Sequence, residues 1–124
     1  MAIKTVLEQI VPDENSSFRL MVNPDLRDFF FWHFHPEFEL VFIAGADGTR
    51  HVGDHLSRYK GSDLVFIGSN IPHLNFDYGI DTSYEKYVVH IAPSFLQEAI
   101  SRTPELSGVR SLFLQASRGI AFNR

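Results

Sequence analysis

The sequence predicts a mainly β domain: an antiparallel barrel or sandwich over residues 1–92, followed by two short α-helices over residues 93–124. Three observations carry this. Short apolar-alternating runs follow one another from about residue 18 to residue 91, separated by turns rich in Gly, Asn and Asp. At Pro93 the apolar period changes from two to three or four. A chain of 124 residues is one domain, able to bury roughly two-thirds of the surface that its unfolded form exposes.

Taken in order, Ile3, Val6, Leu7 and Ile10 fit a short helical face that Pro12 and Asp13-Glu14-Asn15 bring to an end. Residues 18–22 read as a strand stopped by the turn composition Asn23-Pro24-Asp25. In 28–35, Phe29, Phe31, His33 and His35 share one face and Phe30, Trp32 and Phe34 the other. Both faces are apolar, so both should be covered. In 37–43, Glu37, Glu39, Val41 and Ile43 alternate with Phe38, Leu40 and Phe42. Gly45-Ala46-Asp47-Gly48, Gly53-Asp54 and Lys60-Gly61-Ser62 then mark the turns that separate strands 49–52, 55–59 and 63–67. Beyond the loop 68–72, segments 73–76 and 84–91 complete the β region.

Ser94-x-x-Gln97 reads as a capping box opening a short helix with Phe95, Leu96, Ala99 and Ile100 on its apolar side. Thr103-Pro104-Glu105 supplies a cap, a first-turn proline and a first-turn acid for a second helix, with Leu106, Val109, Leu112, Phe113 and Ala116 on one side. Gly119 is its stop. These helices should cover the outer apolar face of the β region or pair with a partner's helix in a homodimer.

Composition excludes several function classes. There is no cysteine, so disulfides and thiolate zinc sites are ruled out, and a reducing cytoplasm is compatible. No apolar run approaches the roughly 18 residues of a membrane span, so a soluble, cytoplasmic protein without membrane contact is expected. The formal charge is −4 and the eleven Lys and Arg residues are scattered, which argues against direct DNA contact by this stretch. Ser62, Ser69 and Thr82 lack a recognisable base and orienting acid, and no glycine-rich phosphate loop is present.

The chemistry concentrates in Trp32-His33-Phe34-His35-Pro36-Glu37-Phe38-Glu39. His33, His35 and Glu39 share parity, and a second strand ending near His73 would bring a third imidazole to the same face. Three neutral imidazoles and one carboxylate suit a divalent transition metal, zinc, nickel, iron or manganese, without choosing among them. The alternative is that the histidines only wall a pocket through hydrogen bonds.

His33-x-His35-x-x-x-Glu39 with Gly45 following, then Gly61 and Asp63 opening a strand and His73 closing it, resembles the two motifs of the cupin barrel. The run from Trp32 to His73 is similar to the N-terminal, effector-sensing domain of AraC-type transcriptional regulators, a likeness that continues from Leu7-Glu8 to Arg118-Gly119-Ile120. Arg27 stands where the motif has a glycine, and Gly68 and Asn70 where it has proline and glycine. The resemblance implies a cupin-type antiparallel β-barrel (double-stranded β-helix) with an N-terminal arm, and a small-molecule effector, a sugar or related polar metabolite. It also implies that DNA is reached only through a C-terminal helix-turn-helix domain absent from these residues. The alternative function is a stand-alone metal-dependent cupin enzyme of dioxygenase or isomerase type.

Further side chains are candidate effector contacts. Arg19, Arg50 and Trp32 are suited to hydrogen bonding or stacking on a sugar-like molecule, with surface placement or core packing as the alternatives. Glu37 shares the parity of Glu39 but sits beside Pro36, at the barrel mouth. His90 lies on the face of Tyr84, Lys86 and Val88, where a structural histidine is the alternative. His51 and His55 flank the Gly53-Asp54 corner and should be solvent-exposed.

Overall fold

The computed structural model describes residues 5–10, 16–24, 32–77 and 79–122. Nine strands are formed among them: β1 (Thr5–Leu7), β2 (Phe18–Val22), β3 (Trp32–Phe34), β4 (Phe38–Ala44), β5 (Gly48–Val52), β6 (His55–Tyr59), β7 (Ser62–Ile67), β8 (Glu85–Ile91) and β9 (Ile120–Ala121). A π-helical segment Phe95–Ile100 and a 3-10 turn Pro104–Leu106 precede helix α1 (Ser107–Gln115), and a second 3-10 turn, Ala116–Arg118, follows it. The described residues are mainly β, with 42% strand and 21% helix. An antiparallel five-stranded sheet runs in the order β2-β8-β4-β7-β9. β5 and β6 form an antiparallel hairpin, whereas β1 runs parallel to β3. His73 stitches these smaller ladders together, bridging both His33 and Val52. Among the described residues no sheet closes on itself into a barrel.

Alternation decides the two faces of the large sheet. Val41, Ile43, Val65, Ile67 and Val88 point inward and pack with Val52 and Tyr59 of the β5–β6 hairpin and with Phe76. Phe38, Phe66 and Ile91 point outward against Ile100, Phe113 and Ala116. The Phe113 ring stands edge-on to both Phe38 and Phe66, with centroids 4.7 and 4.9 Å away. Each such buried side chain stabilises the fold by about 1.5–3 kcal/mol relative to exposure. The helices therefore cover the chain's own outer face, as their apolar positions predict, although Ala99 remains exposed and Val109 is 37% exposed.

Several local expectations are corrected. Residues 5–7 form a strand rather than a helical turn, because they find ladder partners in β3. Segment 73–76 is no strand: only His73 bridges its neighbours, and its pairing with Val52 ends at the bond from the Leu74 amide to the His51 carbonyl. The capping box does not form, since Ser94 already has helical dihedrals and its side chain caps nothing. Thr103 spends its hydroxyl on the Ala99 carbonyl (2.7 Å) rather than on the next helix. Pro104 opens that helix and Gly119 ends it at φ +74°, as read. The strand predicted from 28 to 31 lies outside the described residues, as does Arg27.

The loop before His73 explains its unusual residues. Gly68 donates its amide to the Ala116 carbonyl at 2.8 Å, and a Cβ there would stand 2.8 Å from that same oxygen. A side chain at 68 would therefore push the helical cover off β7. Asn70 adopts φ +59°, the left-handed region that Asn tolerates better than most residues. Its amide bonds to the His35 carbonyl at 2.8 Å.

Candidate metal centre

Local strand geometry delivers the donors to one place. β3 directs His33 inward, His35 follows in the bend before β4, and Glu39 is the first inward residue of β4. His73 arrives through its backbone exchange with His33, the two amide–carbonyl bonds measuring 2.9 and 3.1 Å. β8 pairs with β4 so that His90 stands opposite Glu39. All five are buried, with relative exposures from 1% to 6%. The four residues of the sequence motif are thus brought together, and His90 joins them. Two donor triads lie within reach of a single ion each: His33, His35 and His73, and His35, Glu39 and His90.

The hydrogen bonds reveal which nitrogens are available. His35 donates from Nδ1 to the Glu37 carbonyl (3.0 Å), and His73 from Nδ1 to the Ile71 carbonyl (2.9 Å). Such outer contacts orient metal-binding imidazoles and leave the lone pair on Nε2. Those Nε2 atoms face Glu39: that of His35 is 3.1 Å from Oε1, and that of His73 is 3.6 Å from Oε2. Two acceptors cannot face one another stably without something positive between them, a proton or a cation. His73 Nε2 is buried and makes no hydrogen bond, which is how a ligand nitrogen looks before its ion is counted.

The electrostatics agree. Burial pushes the Glu39 carboxyl up, but the charge of His73 and hydrogen bonds from His35 and His90 outweigh it and hold the group well below the ordinary carboxylate range. Burial also opposes charge on His35; the bond to Glu39, the Glu39 charge and the Glu37 carbonyl overcome it and raise its pKa. With protons alone, the centre is a buried imidazolium–carboxylate pair. Such a pair repays its desolvation only through good geometry.

Of the candidate effector contacts, few reach this centre. Arg50 is committed to Asp63 (Nε to Oδ2, 2.7 Å), the Ser57 hydroxyl (2.6 Å) and the Arg58 carbonyl (3.1 Å), and so braces the β5–β6 hairpin on β7. Trp32 is half-buried, its ring edge-on to His51 at 4.0 Å, so His51 is covered rather than exposed; His55 is exposed as expected. Arg19 stands opposite His90 on edge strand β2. Glu37 is half-buried beside the ring of His35; its Oε1 lies 3.9 Å from Nδ1 and makes no hydrogen bond. Cavities of about 570, 410 and 520 Å³ are lined by none of the five donors, though Arg50 lines the second.

Two features escaped sequence reasoning. Glu8, just past β1, bonds through its amide to the Phe34 carbonyl (2.9 Å) and places its carboxylate 3.5 Å from His33 Nε2. No local signal marks it, because its position depends on the β1–β3 register. The second feature is a buried network at the other end of the inner face. Lys86 Nζ donates to Asp77 Oδ1 at 2.7 Å, Tyr84 donates to Asp77 Oδ2, and Tyr59 donates to the Phe76 carbonyl at 2.9 Å. Burial pushes both phenols up beyond their usual range, aided at Tyr59 by the Asp77 charge and at Tyr84 by the hydrogen bond to Asp77 and then its charge. The parity of Lys86 with His90 was its only sequence signal.

Comparison with protein-family models, with curated proteins and with solved structures finds no match.

Proposed function

We propose that this chain is a cupin-type sensor domain, similar to the effector-sensing domains of AraC-type regulators, with a divalent transition metal held by His33, His35, Glu39 and His73. The observation that carries the metal is the convergence of buried Nε2 lone pairs on one carboxylate, with the Nδ1 protons of His35 and His73 already committed to backbone carbonyls. The ion would supply the positive charge that these facing acceptors require.

Binding is favoured over turnover because the donors are sealed, none being more than 6% exposed. A route for signalling is also at hand. The exposed arm strand β1 is tied to the centre through Glu8 and His33, so a change at the centre alters how the arm docks. In a regulator, that change would reposition a DNA-binding domain outside this chain.

Elemental analysis of the purified chain, grown with added zinc, nickel, iron and manganese, tests the reading. Near-stoichiometric metal that vanishes in the His33→Ala, His73→Ala double variant supports it. Folded wild-type protein that carries no metal under those conditions overturns it.

A further inference from the structure

His90 belongs to the centre, yet its surroundings differ from those of the other histidines. His35 and His73 each have a carbonyl for the Nδ1 proton, which frees Nε2 to bind an ion. His90 is 2% exposed, and its Nδ1 is buried with no hydrogen-bond partner. Its Nε2 lies 2.8 Å from Glu39 Oε1. If the proton sits on Nε2, the donor is satisfied by the carboxylate and only an acceptor goes bare. If an ion takes Nε2, the proton must move to Nδ1, where it becomes an orphaned buried donor, the rarer and costlier arrangement in proteins.

We propose that His90 is a positioning residue and not a ligand: it donates from Nε2 to Oε1 of Glu39 and turns the carboxylate so that Oε2 faces the ion beside His73. The proposal rests on the metal-centre reading above. It resolves the two overlapping donor triads in favour of His33, His35 and His73, with Glu39 as the fourth ligand through Oε2, which lies 3.6 Å from His73 Nε2. His90 then does for the carboxylate what backbone carbonyls do for two of the imidazoles. Outer contacts of this kind typically change metal affinity by 10–100-fold.

The test is the long-range proton–nitrogen spectrum of the uniformly nitrogen-15-labelled chain, recorded with stoichiometric zinc. The signals of His90 are assigned by their loss in His90→Gln. A proton on His90 Nε2 in the zinc-loaded protein, with His35 and His73 protonated at Nδ1, is the expected result. A His90 ring whose Nε2 is unprotonated overturns the proposal and makes it a ligand. The variants give a second reading with cobalt as the probe. His90→Gln, which keeps an amide donor near the same place, should retain the wild-type visible spectrum. His90→Leu should acquire the spectrum of Glu39→Gln and bind cobalt 10–100-fold more weakly. A His90→Gln spectrum that departs from wild type, or a folded His90→Leu protein indistinguishable from it, also overturns the positioning role. Should His90→Leu fail to fold, the zinc spectrum and His90→Gln still decide. Failure of wild-type protein to bind zinc or cobalt at all refutes the metal centre itself, a separate outcome.

Discussion

The inner face of the large sheet carries two buried polar clusters that answer the same problem in opposite ways. At one end, Lys86 and Asp77 neutralise each other at 2.7 Å, and the phenol of Tyr84 takes the remaining carboxylate oxygen. At the other end, the imidazoles of His35, His73 and His90 surround the carboxylate of Glu39, and His73 Nε2 and His90 Nδ1 go without hydrogen bonds. The clusters share strand β8, which directs Lys86 to the first and His90 to the second, with the aliphatic Val88 between them. The difference is one of closure: the first closes on itself, while the second leaves two buried ring nitrogens without hydrogen bonds. A closed pair is structure. An open set of donors could hold a cation.

That contrast can be broken most forcefully at Asp77. Asp77→Ala leaves the ammonium of Lys86 buried without its counter-charge, and should cost about 3–5 kcal/mol in urea denaturation. The variant protein that remains folded should take up as much metal as wild type; reduced uptake per folded molecule would show that the two clusters are not independent. Replacing both partners, Asp77→Leu with Lys86→Met, should be neutral or stabilising by about 1–4 kcal/mol.

His73→Ala should do the reverse, sparing stability more than Asp77→Ala does but lowering metal affinity by more than the roughly 100-fold that loss of an outer contact can cause. Isothermal titration with zinc checks this, and affinity within tenfold of wild type would remove His73 from the ligand set.

The pH response should separate the metal-free from the metal-loaded centre. The raised pKa of His35 contributes stability that is complete below its unfolded value of about 6.5 and is lost as pH rises through the folded pKa. The depressed pKa of Glu39 contributes stability that is complete above about 4.5 and is lost only as pH falls towards its folded value, well below that. The pair is therefore strongest in metal-free protein between these limits, and its contribution declines from pH 6 to pH 8. Metal binding must expel the histidine protons, so affinity grows over the same range. Melting temperatures measured at pH 6 and pH 8 should show metal-induced stabilisation increasing with pH; a gain that is constant or falls would count against imidazole ligands.

The smallest effect is expected at the arm. Glu8→Gln weakens a partly exposed contact to His33 and should change stability by no more than about 1 kcal/mol. Hydrogen exchange should nevertheless speed up at the amides of residues 5–7. Unchanged exchange would mean that the β1–β3 ladder holds the arm without help from the centre.

Much of this arrangement was legible in the chain because alternation is a local property. It assigned Glu39, Val41 and Ile43 to one face and Phe38, Leu40 and Phe42 to the other, placed Lys86 and His90 together, and marked Pro93 as the point where β structure gives way to helix. The shared face of His33, His35 and Glu39 follows from the same spacing. What alternation cannot supply is register between strands far apart in sequence. The pairing of β8 with β4 alone sets His90 against Glu39, and the pairing of β1 with β3 alone brings Glu8 to His33. That Arg50 lines a cavity while tied to Asp63 and Ser57 likewise depends on the fold. The sequence by itself determined which residue types could form a nitrogen- and oxygen-lined centre and the face on which they lie. Tertiary structure decided which nitrogen turns towards the carboxylate, because a ring's orientation is set by the carbonyls and charges that distant segments bring within 3 Å.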